Sequence, residues 1–264
     1  MLGWSINLFR VFGIRLAVHF TFLLLVVYAA WAGWTENPTA PWMGLALDVV
    51  LIVLLFTCIV LHELGHSLTA RRYGIGVSRI LLMPIGGMAE FDSIPRQPRR
   101  EFLISLAGPA VNFSIALVLL FFLPWPTDWG ADTVEFTLPG LGDLLLRINL
   151  IMGGFNLLPV FPMDGGRILR AILATRLSYL QATFWAATIG KVLACVAAVC
   201  FAILGKNPLA VALFVFIVIA GELEYRTVKR REKQEAQWNS LIRGLYGPAA
   251  SSGAEPADLL HGPN

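Results

Sequence analysis

The sequence predicts an all-α membrane protein of about six transmembrane helices, with a small β-hairpin between helices 2 and 3. Three observations carry that prediction. The 264 residues are 57% hydrophobic and only 14% charged, with mean hydropathy +0.70, whereas a soluble domain carries about 25% charged residues. Apolar runs recur at lengths near the roughly 20 residues that a membrane span needs. Cationic residues gather in alternate loops between those runs, as on the cytoplasmic side of membrane proteins. A disulfide framework is not supported, because Cys58, Cys195 and Cys200 lie inside apolar runs and none forms a CxxC pair.

The first apolar run covers residues 16–34. It lacks a small-x-small cleavage site followed by soluble sequence, so it reads as a retained helix and not a signal peptide. The second covers 44–70 and contains His62-Glu63-Leu64-Gly65-His66. Residues 77–91 are too short and too broken by Pro84 and Gly86-Gly87 to span. Their β-branched and apolar content reads as a hairpin. The third run covers 102–123. The fourth starts near 144 and breaks at Pro159 and Pro162, an interruption tolerated only where freed backbone is buried in protein or lines a wet cavity. The fifth and sixth cover 182–204 and 208–220. Beyond 226 the chain is charged, then rich in Pro, Gly, Ala and Ser, a composition that suits a frayed helix followed by disorder. The predicted organisation is therefore one intramembrane domain over 1–225 and a cytoplasmic tail over 226–264, with no internal repeat.

Charge placement gives an orientation. Arg71, Arg72, Arg79, Arg96, Arg99 and Arg100 lie between the second and third runs, and Arg167, Arg170 and Arg176 follow the broken fourth. The stretch 124–143 has no cation, and only Lys206 breaks the alternation. The positive-inside rule then places both termini in the cytoplasm, and the expected location is the plasma or inner membrane. Trp31, Trp34, Trp42, Trp125 and Trp129 fall on the opposite side, as an interfacial belt does.

The chemistry concentrates at His62, Glu63 and His66. On a helix the two histidines are one turn apart on one face. Two imidazoles so spaced can hold one zinc ion, with Glu63 beside them as a general base. Polar and ionisable groups in an apolar run are costly unless paired or functional. A catalytic zinc normally takes a third protein ligand and keeps one open position. The best candidate is Asp164, just after the two prolines, in Asn156-Leu157-Leu158-Pro159-Val160-Phe161-Pro162-Met163-Asp164-Gly165-Gly166-Arg167. The bland reading is an N-cap for the next helix, and both roles can hold together, since a cap leaves one carboxylate oxygen free. Cys58 shares the His62 face and reads as packing. His19 and Lys191 carry no assigned role; Lys191 should face the bundle interior or snorkel.

These motifs, with Gly108-Pro109-Ala110-Val111-Asn112, resemble the site-2 protease family. The likeness is to its compact bacterial and archaeal type, similar to the sporulation-factor processing protease, without PDZ or CBS domains. The resemblance implies an intramembrane zinc endopeptidase that hydrolyses a peptide bond in or near a transmembrane segment. It implies one Zn2+ per chain on His62, His66 and Asp164, with Glu63 as general base toward water. It implies a catalytic or substrate-holding role for Asn112, which reads equally as an interhelical hydrogen bond. Gly86 and Gly87 match the family's substrate-clamping edge strand. The implied partners are a transmembrane protein substrate and the lipid bilayer, with no nucleic acid; a regulatory membrane partner and the oligomeric state stay open. Two other classes stand beside this one. An inactive metal-binding homologue would not need Glu63, and a metal-ion transporter would show inverted repeats, which the sequence lacks.

Overall fold

The structure is a computed structural model that describes residues 5–36, 41–84, 86–92, 96–123, 138–205 and 208–246. The acidic loop with Trp125 and Trp129, together with Ile85, Lys206 and His261, lies outside the described residues. Seven helices are described: α1 (Thr21–Glu36), α2 (Pro41–Arg72), α3 (Pro98–Phe122), α4 (Leu138–Asn156), α5 (Asp164–Leu173), α6 (Tyr179–Cys200) and α7 (Pro208–Tyr246). A π-helical turn, Phe201–Gly205, follows α6.

Local sequence explains several helix boundaries. Pro98 opens α3 at its first turn, where a missing N–H costs nothing. Ser178 and Gln181 form a reciprocal capping box at the start of α6. At the start of α1 the Thr21 N–H donates to His19 Nδ1, which gives His19 a local structural partner.

Four of the described helices are long and apolar enough to cross a membrane: α2, α3, α6 with its π turn, and α7. Six such helices are not found among the described residues. The α1 helix is apolar but has 16 residues. The α4 helix has 19 residues but carries Asp143, Arg147 and Asn149 among them. Large apolar side chains such as Leu117, Phe121, Val196 and Phe216 are exposed along the spanning helices, the surface that lipid would cover.

The correction here is the sheet. A hairpin does lie between α2 and α3, as β3 (Val77–Met83) paired antiparallel with β4 (Gly86–Phe91). It belongs to a four-stranded sheet of order β1-β2-β3-β4, with β1 (Ser5–Val11) antiparallel to β2 (Ile14–His19) and β2 parallel to β3. Residues 16–19, expected to begin the first helix, are therefore strand. The turn between β1 and β2 is Phe12-Gly13, with φ of 50° and 80°. Two left-handed residues suit a two-residue hairpin, and Gly13 adopts that conformation freely. Ile14 and Leu16 then pack with Phe56, Leu64, Ile80 and Leu82, which seats the sheet on α2. A short apolar strand that runs into an apolar helix gives no boundary in hydropathy alone.

Helix α2 is the hub, packed against α1, α3 and the sheet, while α3 also contacts α4 and α5, and α6 pairs with α7. Lys191 on α6 meets Glu222 on α7 at 2.9 Å, so it faces a helix partner. The 225/226 boundary falls inside α7, which continues to Tyr246. Beyond that boundary Glu235 makes two hydrogen bonds with Arg96, at 2.6 and 2.7 Å.

Candidate metal centre

His62 lies ten residues before Arg72, the last residue of α2. At 1.5 Å per residue that sets it about 15 Å in from the helix end. His62 and His66 are 5% and 6% exposed. Their Nε2 atoms are 3.1 Å apart. Asp164, the first residue of α5, brings Oδ2 to 3.2 Å from His62 Nε2 and 3.1 Å from His66 Nε2. Met163 takes the N-cap position without a side-chain bond, so Asp164 is not the cap. Its carboxylate reaches the histidines of α2 across a separation of 98 residues.

Close backbone approach makes this convergence possible. A Cβ on Gly108 would stand 2.2 Å from His66 Nε2 and 2.8 Å from His62 Cε1. Only glycine lets α3 pass this close to both rings. Gly65 does the same on α2, where a Cβ would meet the Ala107 carbonyl oxygen at 2.7 Å. Behind the rings, His66 Nδ1 donates to the Ile104 carbonyl at 2.7 Å, and Asn112 Oδ1 lies 2.6 Å from His62 Nδ1.

The donor set fits a zinc ion. A carbonyl oxygen can only accept, so the neutral His66 ring carries its proton on Nδ1 and presents a lone pair at Nε2. That lone pair faces a carboxylate oxygen 3.1 Å away. Two acceptors at that distance need either a proton or a metal cation between them. A proton would serve two atoms, whereas a third, His62 Nε2, stands at the same point. Three acceptor edges of 3.1 to 3.2 Å also match the roughly 3.3 Å edge of a tetrahedron whose metal–ligand bonds are ~2.0 Å. Among the described residues His62, His66 and Asp164 form the group that could hold a metal.

Glu63 lies next to this triangle, half-buried beneath β4. A Cβ on Gly87 would come 2.8 Å from Glu63 Cγ and 2.9 Å from Ile59 Cγ2, so β4 runs directly over the Glu63 side chain. Gly86 has φ of 134°, a backbone that disfavours any other residue. β4 is a sheet edge, with no further strand beside it among the described residues. Asn112 is placed differently from the expectation of substrate contact. It is fully buried, its Oδ1 faces His62, and its Nδ2 donates to Asn149 Oδ1 at 2.8 Å.

Two groups of buried residues escape a reading of motifs. One is Asn149, an amide in an otherwise apolar face of α4, whose polarity was the available signal. The other is Arg170, grouped in the sequence with the cytoplasmic cations but only 1% exposed. Its guanidinium meets Glu101 of α3 at 2.5 Å and Glu224 of α7 at 2.7 Å. It also lies over the rings of Phe161 and Tyr179, at 5.2 and 5.0 Å from their centroids. Nothing local marks such a pairing, since its members are 69 and 54 residues apart. Cys58 packs beside the site as expected, its Sγ 3.2 Å from Asn149 Nδ2.

The fold and the site together define a membrane protein with four apolar helices of membrane-spanning length and a buried His/His/Asp candidate metal centre. The family model described as peptidase family M50 matches residues 50–138 and 131–197, and the chain belongs to that family, the site-2 proteases. A zinc metalloprotease of Methanocaldococcus jannaschii is 40% identical over 230 residues, covering 86% of this chain and 62% of the relative. The putative zinc metalloprotease Rip3 of Mycobacterium tuberculosis is 33% identical over 198 residues, covering 73% and 50%. Stage IV sporulation protein FB of Bacillus subtilis is 28% identical over 132 residues, covering 50% and 43%. The chain thus spans about two fifths to three fifths of the length of these curated relatives. The solved site-2 protease from Methanocaldococcus jannaschii matches with a TM-score of 0.59 and 40% identity, over 84% of this chain and 95% of that one.

Proposed function

We propose that this chain is an intramembrane zinc endopeptidase that hydrolyses a peptide bond in or near a transmembrane segment of a membrane protein. The observation that carries the reading is the triangle of His62 Nε2, His66 Nε2 and Asp164 Oδ2, with Glu63 beside it on the same helix. These three side chains would hold one zinc ion. Zinc held there supplies Lewis acidity, which polarises a carbonyl and makes a water acidic near neutral pH. Glu63 takes the proton from the attacking water as general base, then returns it to the leaving amine nitrogen as general acid. Asn112 acts behind His62 as a positioning residue and not through substrate contact.

The free edge of β4 is placed to pair with an extended substrate, as in strand addition. Gly87 keeps that edge flat against Glu63, so a paired segment would pass close to the base. A transmembrane helix must unwind to present its carbonyls, and unwinding in lipid is costly. Substrate segments with weak helices near the cytoplasmic boundary should therefore cleave fastest. The arginines at the end of α2 and in the loop before α3 support a site that opens to the cytoplasm, in a plasma or inner membrane. The catalytic domain is assigned to 1–225, and 226–264 to a cytoplasmic tail whose first part is the exposed end of α7.

Glu63→Gln tests the reading. The full-length variant should retain stoichiometric zinc while cleavage of a transmembrane substrate falls by about 10²–10⁴-fold or more. Loss of zinc together with activity would make Glu63 a ligand or support. Unchanged cleavage would remove it from the chemistry.

A further inference from the structure

Asn149 is the start of a hydrogen-bond chain whose direction is fixed by the backbone. Its Nδ2 lies 2.8 Å from the Leu145 carbonyl oxygen and 3.2 Å from Cys58 Sγ. The carbonyl can only accept, so Asn149 must turn its NH2 group that way. Its Oδ1 then faces Asn112, 2.8 Å from Asn112 Nδ2. An oxygen there compels Asn112 to present its NH2 to α4, and therefore its Oδ1 to His62, at 2.6 Å. An acceptor at that distance in turn compels His62 to carry a proton on Nδ1. The lone pair of the neutral ring is left on Nε2, the atom that faces Asp164 and His66.

We infer that Asn149 is a positioning residue that selects the His62 tautomer able to bind metal, acting through Asn112. The opposite orientation of Asn112 would offer an N–H to Nδ1, move the ring proton to Nε2, and point a donor into the metal centre. Burial makes the choice strict. Asn112 and Asn149 are both fully buried, so water does not offer either amide an alternative partner, and an unmade bond carries its full desolvation cost. His66 reaches the same end by a shorter route, since Ile104 supplies a backbone carbonyl directly. The α3 position facing His62 carries a side chain instead, and its orientation must be set by a further residue. The chain thereby lets α4 act on a ligand presented by α2.

This inference rests on the metal-site reading for its consequence but not for its geometry, so two readouts separate them. In the metal-free full-length protein at alkaline pH, ¹⁵N-histidine spectra should show His62 protonated at Nδ1, with the signal assigned by its loss in His62→Gln. The Nε2-protonated form there would overturn the relay whatever zinc does. In the second readout, chelator competition on the purified protein should show zinc held 10–100-fold more weakly in Asn149→Leu, the usual effect of losing a partner behind a ligand. Asn112→Leu should show a similar loss. The double variant should match Asn112→Leu within about twofold, because both changes break one chain. Additive losses would mean that Asn149 acts by packing alone, and would overturn the inference. Leu146→Ala loosens the same helix and should lower thermal stability while leaving zinc affinity within about twofold. A loss of affinity there equal to that of Asn149→Leu would also overturn it. If wild-type protein binds no zinc, the proposed function fails, and the histidine spectrum still decides the relay.

Discussion

Two buried polar clusters lie near each other at the α2, α3 and α5 contacts, and they are built on opposite logic. Around Arg170, donors meet acceptors. One guanidinium answers Glu101 and Glu224 and lies over the rings of Phe161 and Tyr179. Around Asp164, acceptors meet acceptors. Two imidazole nitrogens and a carboxylate oxygen converge within 3.2 Å. The first cluster pairs its cation with its own acidic side chains, although Glu101 Oε2 is left without a hydrogen-bond partner, and it ties α5 to α3 and α7. The second is the group that could hold a metal ion. The two are coupled through α5, because Arg170 stands six residues after Asp164 on that helix, about 9 Å along its axis. The Arg170 cluster and the candidate metal centre therefore share one helix.

The sharpest break of this comparison is at Asp164. Asp164→Ala removes one acceptor from a cluster that has too many. Zinc retention should be lost, and cleavage should fall by on the order of 10³-fold or more, since the metal contributes several kcal/mol to the transition state. The metal-free variant should nevertheless melt no lower than metal-free wild type, because crowding of lone pairs is relieved. Metal analysis and thermal unfolding in detergent measure both. A marked fall in the metal-free melting temperature would show that Asp164 is a structural element of the α5 entry and not chiefly a ligand.

Arg170 should give the reverse signature. Arg170→Met leaves Glu101, 3% exposed, as a buried carboxylate without its partner. Such a break costs about 3–5 kcal/mol. Folded yield and melting temperature should drop before zinc affinity does. Adding Glu101→Leu should restore much of the loss, because an apolar replacement of both partners is often neutral. Failure of that rescue, with zinc binding lost in both variants, would mean that the cluster belongs to the site's chemistry.

The contrast also explains what was legible in the sequence. The spacing of His62, Glu63 and His66 is local, so a helix alone places them on one face. Asp164 was legible because Pro159 and Pro162 end an apolar run just before it. Asn112 was found by motif, but its hydrogen bond to Asn149 was not, because that depends on which face of α4 meets α3. Arg170 was hidden for the same reason: its partners come from α3 and α7, and an arginine beside a membrane loop reads as a cytoplasmic charge. The β2 strand was missed because Leu16-Ala17-Val18 is followed, with only His19 and Thr21 as single polar residues, by the apolar run of α1. In each case the missing information was a pairing between distant segments, which neither period nor composition records.

A partly exposed polar pair tests where matching ceases to matter. Arg79 and Glu90 join β3 to β4 at 2.8 Å, yet both are partly exposed. The hydrogen bond from Arg79 is the main cause that holds the Glu90 carboxyl below its ordinary range, with burial opposing it. A carboxyl with a depressed folded-state pKa stabilises the protein above its unfolded value, about 4.3. That contribution is lost as pH falls through the lower, folded value. Solvent screens the pair, so its worth should be at most about 1 kcal/mol. Glu90→Gln should thus lower the melting temperature slightly at neutral pH, and the difference from wild type should shrink towards zero as Glu90 itself becomes protonated in acid. Cleavage should change little, because β4 is also held by its ladder to β3 and by the close seat of Gly87 on Glu63. A large loss of cleavage at unchanged stability would instead mean that the Glu90 charge acts on the substrate bound at the β4 edge, and would move that pair from the matched class into the functional one.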